Sequence, residues 1–129
     1  MRFRILAAGL LLSCASSLTQ VGPGFDFELE PGKPVQLSGT GVRVTLLEVV
    51  NDSRCPVDVV CVTAGDAEVR LSVVGEGEDR TVSLHVMQEP RSITVGAVRL
   101  ELTGLAPSPR STVTIPPAEY RARIRWSAP

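Results

Sequence analysis

An all-β domain, a single antiparallel β-sandwich of about seven or eight strands, is the fold class that the sequence predicts, with a small β-barrel as the alternative. Three observations predict it. From Phe25 onward apolar and polar residues alternate with period two, in runs of strand length with one face to bury. Glycine-bearing turns, Gly39-Thr40-Gly41, Gly75-Glu76-Gly77 and Gly96-Ala97, fall between the runs, where chain reversal needs residues tolerant of positive φ. Outside the N-terminal segment no comparable helical stripe exists, and short strands at this spacing favour hairpin-connected sheets.

Residues 1–13 read as a lipoprotein signal peptide. Arg2 and Arg4 precede an apolar run from Ile5 to Leu12, the layout of an export signal. A helix rising about 1.5 Å per residue needs roughly twenty residues to cross a hydrocarbon core about 30 Å thick, so this run is an address and not a permanent anchor. Leu11-Leu12-Ser13-Cys14 resembles the bacterial lipobox, which implies that Cys14 receives lipid and becomes the first mature residue. The alternative is ordinary secretory cleavage, for which Ser13 and Ala15 are suitably small, giving a secreted or periplasmic protein. With the lipid, the protein belongs to the bacterial cell envelope. Ala15 after the cysteine, in place of an acidic residue, implies the outer membrane if the cell is diderm.

Residues 14–24, the lipidated Cys14 followed by small, polar and Gly/Pro-bearing residues, read as a flexible tether to a domain spanning 25–129, with a first edge strand as the alternative for the stretch from Ala15 to Gly24. The whole chain has 13 Lys+Arg and 14 Asp+Glu, and loss of Arg2 and Arg4 with the signal leaves 11 against 14, a net −3. Such a charge has no general attraction for nucleic acid, whose binding rests on neutralising phosphates. A mature chain of about 115 residues is the size of one domain with a real core.

Within the domain, Phe25, Phe27 and Leu29 alternate with Asp26, Glu28 and Glu30. Val69, Leu71 and Val73, then Val82, Leu84 and Val86, then Val98, Leu100 and Leu102 repeat the pattern. Tyr120, Ala122, Ile124 and Trp126 close it against Arg121, Arg123 and Arg125, which share one face at intervals of about 6.6 Å. That arginine ladder could meet phosphates or uronic acids, but cross-strand pairing with Asp26, Glu28 and Glu30 is the expected use. The proline-rich stretch from Ala106 to Pro117 reads as a long crossover between sheets or an exposed loop. Aromatic residues are few, and with Tyr120 and Trp126 assigned to the core little is left for stacking a sugar, which argues against a carbohydrate-binding module.

The segment "NDSRCPVDVVCVTAGDAE", residues 51–68, is where chemistry concentrates. Cys55 and Cys61 enclose five residues, unlike a C-x-x-C redox centre, and in an oxidising envelope they should join as a structural disulfide. Closing so short a loop stabilises by on the order of 2 kcal/mol. Asp52 can accept hydrogen bonds in a turn, and the forked donors of Arg54 can clamp Asp52, Asp58 or Asp66. Asp52, Asp58, Asp66 and Glu68 are hard oxygen donors of the kind calcium takes, yet their spacing fits no calcium loop and no metal is expected. His85, the single histidine, sits on the polar side of its strand and reads as a surface residue without a nucleophile to serve. If the domain binds anything, the loop Asp52–Asp66 is the expected surface, with Arg54 and Asp58 reaching out and Asp52 turned inward.

The same stretch, with "LTGLAPSP" and "EYRARIRW" downstream, resembles a family of small exported bacterial proteins, often lipoproteins, with a DSRCP…C-x-W-A-G motif and no established activity. The resemblance covers roughly Phe25 to Trp126 and rests on Asp52, Ser53, Arg54, Cys55, Pro56, Cys61, Ala64 and Gly65. Thr63 stands where that pattern has tryptophan, which removes the obvious platform for a stacked ligand. The expected function is a non-enzymatic interaction or accessory module, lipid-anchored, without cofactor, meeting an envelope partner. The alternatives are a metal-binding or metal-dependent envelope enzyme using the acidic loop, and a structural or stress-related surface protein.

Overall fold

A strand that alternates apolar and polar residues must lay its apolar face on another layer, and a second such sheet is the simplest cover. The computed structural model, which describes residues 18–75 and 77–129, has this architecture. Nine strands are found among the described residues: β1 (Thr19–Val21), β2 (Asp26–Leu29), β3 (Val35–Leu37), β4 (Arg43–Val50), β5 (Glu68–Gly75), β6 (Glu78–His85), β7 (Ser92–Val95), β8 (Val98–Ala106) and β9 (Arg121–Ser127). One sheet has the order β1-β3-β4-β5-β6 and the other β2-β9-β8-β7; they face each other as a sandwich and do not close into a barrel. A 3₁₀ turn, Pro117–Glu119, precedes β9.

The core is aliphatic and lies between the sheets, with Leu29, Leu37, Leu46, Leu71, Leu84, Leu100 and Ile124 fully enclosed. Trp126 joins it and donates its indole N–H to the Val21 carbonyl at 3.0 Å. The arginine ladder pairs as expected: in the β2–β9 register Asp26 opposes Arg125 and Glu28 opposes Arg123. Arg125 Nε lies 2.8 Å from Asp26, Arg123 3.8 Å from Glu28 and Arg121 3.7 Å from Glu30.

Four expectations need correction. Phe25, read with Phe27 and Leu29 as inward, lies just before β2 and is exposed, because the 22–25 turn carries it past the end of the sheets. Thr19–Val21, placed by the sequence in the tether 14–24, instead forms an edge strand parallel to β3. Its reason is tertiary: Val21 packs on the core, and its carbonyl accepts from Ser38 N at 2.9 Å as well as from Trp126. The signal peptide and Cys14 lie outside the described residues. The proline-rich segment is no crossover between sheets, because β8 and β9 are neighbours in one sheet and Ala106 pairs with Arg121. It is the exposed loop of that hairpin. Finally, strict alternation breaks twice. β-Bulges between Leu46 and Glu48 and between Leu102 and Gly104 leave Leu47 exposed and shift the inward phase to Val49 and Leu105.

Registers sort the connections by end. Val50 pairs with Glu68 and Glu68 with His85, so the 51–67 and 86–91 loops leave the same end, where the 107–120 loop joins them. The β3–β4, β5–β6 and β7–β8 turns and the 22–25 turn lie at the other.

Candidate functional site

The 51–67 loop begins at Asn51, the one non-glycine residue described with positive φ (53°), which turns the chain out of β4. Its first legs run side by side. Ser53 N donates to Asp66 O at 2.7 Å and Cys55 N to Ala64 O at 3.0 Å, while Ser53 Oγ donates to Asp66 O and accepts from Asp66 N. Gly65 makes this approach possible. Its φ is +67°, and a Cβ there would stand 1.7 Å from the Ser53 carbonyl oxygen.

Arg54 locks the stem to the sandwich. Its Nε and one terminal nitrogen donate to the two Asp52 oxygens, each at 2.8 Å, and its terminal nitrogens also donate to Leu105 O at 2.8 Å and Pro107 O at 3.0 Å. Tyr120 adds its hydroxyl to Asp52 Oδ2 at 2.8 Å. The side chains of Arg54 and Asp52 are only 10% and 14% exposed. Arg54, expected to reach outward, is therefore turned in, because its planar fork meets one carboxylate and two backbone carbonyls where the bulged end of β8 turns into its loop. Asp52 is turned inward as expected. The Arg54 guanidinium holds its carboxyl below the usual range, with the Tyr120 hydroxyl assisting against burial. Burial and the Asp52 carboxylate in turn push the Tyr120 phenol up to about 12.

Beyond the stem, Cys55 and Cys61 form a disulfide with Cα atoms 5.9 Å apart. Val57 N donates to Pro109 O at 2.9 Å, and Asp58 accepts from Ser111 N at 2.9 Å and Ser111 Oγ at 2.6 Å. These bonds, the Ser111 hydroxyl foremost, hold the Asp58 carboxyl low. Asp58 therefore fastens this loop to the 107–120 loop. Asp66 binds in another direction: Oδ2 lies 2.6 Å from His85 Nδ1, and Oδ1 accepts from Met87 N at 2.8 Å. Burial raises the Asp66 carboxyl, but the Met87 N–H and His85 outweigh it and the net direction is down. His85, read as a plain surface histidine, is thus half-buried and engaged.

The four candidate residues do not converge on one point. Asp52 meets Arg54 and Tyr120, Asp58 meets Ser111, Asp66 meets His85, and Glu68 meets Arg70 at 3.5 Å. Among the described residues no three His, Cys, Asp or Glu side chains come together as a metal would need. What the loop does present is apolar. Val57, Val59, Val60 and Val62 are exposed, Val60 completely, and Val113 of the neighbouring loop is exposed as well. Sequence reasoning weighed the charges and missed the valines. The signal was there: "VDVVCV" is a β-branched run with one charge, lying in and just beyond a covalently closed loop too short to fold it under the sheets. It also missed Tyr120 and Ser111 as anchors, since both are distant in sequence from the loop they hold.

Comparison with models of known protein families, with curated proteins and with solved structures finds no match for the chain.

Proposed function

We propose that the protein is a lipid-anchored accessory module of the bacterial cell envelope, held through Cys14, whose disulfide-held loop is a recognition face and not a catalytic one. One observation carries the reading: Val57, Val59, Val60 and Val62 are exposed on a loop whose ends are fastened by a disulfide and by Arg54, Asp58 and Asp66. Exposed aliphatic side chains are a cost to solubility when clustered, and clustered on a braced scaffold they mark contact surfaces. A loop already ordered loses little entropy on meeting a partner. The polar side chains that could serve chemistry are instead committed to structural bonds, Asp52 with Arg54, Asp58 with Ser111 and Asp66 with His85 and Met87 N, so each supports the loop. The disulfide suits an oxidising compartment, as export to the envelope supplies. In a diderm cell the outer membrane is the expected address.

The test is a photo-crosslinking amino acid in place of Val60 or, separately, of Phe25, an exposed residue at the other end of the sandwich. In native membranes the first should give a reproducible adduct and the second none. Equal labelling from both ends, or none from the loop, removes the loop as the contact face.

A further inference from the structure

We propose that the valine-bearing tip of the disulfide loop rests in the surface of the lipid bilayer, as a second membrane contact on the same end of the sandwich that the Cys14 lipid approaches. This rests on the reading of Cys14 as the lipidated residue. Strand direction carries the argument. β1 is parallel to β3, Thr19 pairs with Val35, and Val35 pairs with Val44 of the antiparallel β4. The chain that enters β1 at Thr19 therefore comes from the end to which β4 runs, the end of the disulfide loop. From Val44 to Val50, where the loop departs, β4 advances about 20 Å. The chain from Cys14 to Thr19 can span at most about 17 Å. A lipid on Cys14 thus keeps Thr19 within about 17 Å of the membrane, and the chain enters β1 from the side of the loop. The turns at the far end point away.

The chemistry of the tip selects lipid over protein. Val57, Val59, Val60 and Val62 are aliphatic, and the loop carries no Trp or Tyr; its one arginine, Arg54, is committed at the stem. Protein interfaces draw their affinity from such anchors, whereas a bilayer asks only for apolar area. Asp58, the one carboxylate among the valines, has both oxygens bonded to Ser111. Val57 N, Val59 N and Cys55 N donate to protein carbonyls, and the remaining loop backbone stays solvated if the tip lies at headgroup depth. Leu18, partly exposed just before β1, lies on the path between the anchor and the fold. Two contacts fix an orientation that a lipid alone leaves free.

The experiment uses the full chain purified from membranes and reconstituted in phosphatidylcholine vesicles with brominated acyl chains, which quench indole emission. Trp126, the natural tryptophan, is buried in the core and supplies a constant background. Val60→Trp should shift its emission to the blue and lose most of the added intensity, Val62→Trp should do the same, and Phe25→Trp should be unaffected. Mass spectrometry of the mature N-terminus accompanies the measurement. An acylated Cys14 with unquenched emission at both loop positions overturns the bilayer contact and leaves the anchor standing. So does a loop adduct, in native membranes, that is a protein and not a lipid. A mature chain without the acyl group overturns the anchor and this inference together.

Discussion

Arg54 shows how much one side chain can hold. It joins Asp52, the Leu105 and Pro107 carbonyls and, through Asp52, the Tyr120 hydroxyl, in a place where water is largely excluded. Removing one partner of a buried pair strands the other, so Arg54→Ala should cost about 3 kcal/mol in chemical denaturation. The Asp52 carboxyl is lowered in the fold, so its contribution is complete above the unfolded value of about 3.9 and disappears as pH falls through the lower folded value. The stability gap between the wild type and Asp52→Asn should therefore be widest near neutrality and shrink below about pH 4. Tyr120 reads the same network from the alkaline side. It is the only tyrosine, so its phenolate absorbance can be followed directly, and the midpoint should lie near 12. A raised phenol adds stability below the unfolded value of about 10 that is lost as pH climbs through the folded one. With Asp52→Asn the negative neighbour is gone and the midpoint should move down toward 10.

At the scale of elements, the loop is a small ribbon closed by a disulfide and admitted by one glycine. Replacing Cys55 and Cys61 together by serine should lower stability by roughly 1–3 kcal/mol while leaving the circular dichroism of the sandwich intact, since Arg54 still holds the stem and Asp58 still fastens the loop to its neighbour. Gly65→Ala is the sharper test. The new Cβ meets the Ser53 carbonyl in a region of φ that L residues avoid, and the obstruction is backbone that cannot rotate away. A loss of about 3 kcal/mol or more is expected by thermal melting, exceeding that of the disulfide. The β2–β9 ladder should behave oppositely. Its ion pairs are exposed, and Arg123→Ala should change stability by less than about 1 kcal/mol.

Across the whole molecule, stability and recognition reside in different places. Leu100, enclosed between the sheets, should cost about 3 kcal/mol when cut to alanine, whereas Val60→Ser and Val62→Ser should stay within about 0.5 kcal/mol, because those side chains touch little. Loop variants that melt like the wild type can then be compared for envelope contact without confusion with misfolding. Cys14→Ala should leave the same fold but release it from membranes or leave the precursor unprocessed; wild type that already fractionates as soluble protein would contradict the anchor.

Fold class and the inward residues within β2, β5, β6, β8 and β9 could be read from alternation, since a period of two admits only one way of burying a face, but Phe25, read as inward with Phe27 and Leu29, is exposed ahead of β2. The disulfide could be read from two cysteines with no competing partner in the fold, and the β2–β9 charge ladder from opposite signs at matching intervals. Each of these depends on neighbours in sequence or on a register that alternation imposes. The rest depended on contacts between distant segments. β1 became a strand because Ser38 and Trp126 bind the Val21 carbonyl, and the bulges in β4 and β8 erased the alternation by which their ends would have been assigned. Whether Arg54 points out or in was a choice among partners that local sequence left open, and the carbonyls of Leu105 and Pro107, some fifty residues away, decided it. With the charges drawn into those bonds, the valines were what remained for the surface. A sequence specifies which groups need partners; only the tertiary structure brings the partners within hydrogen-bonding distance, and the groups left over form the face the molecule shows.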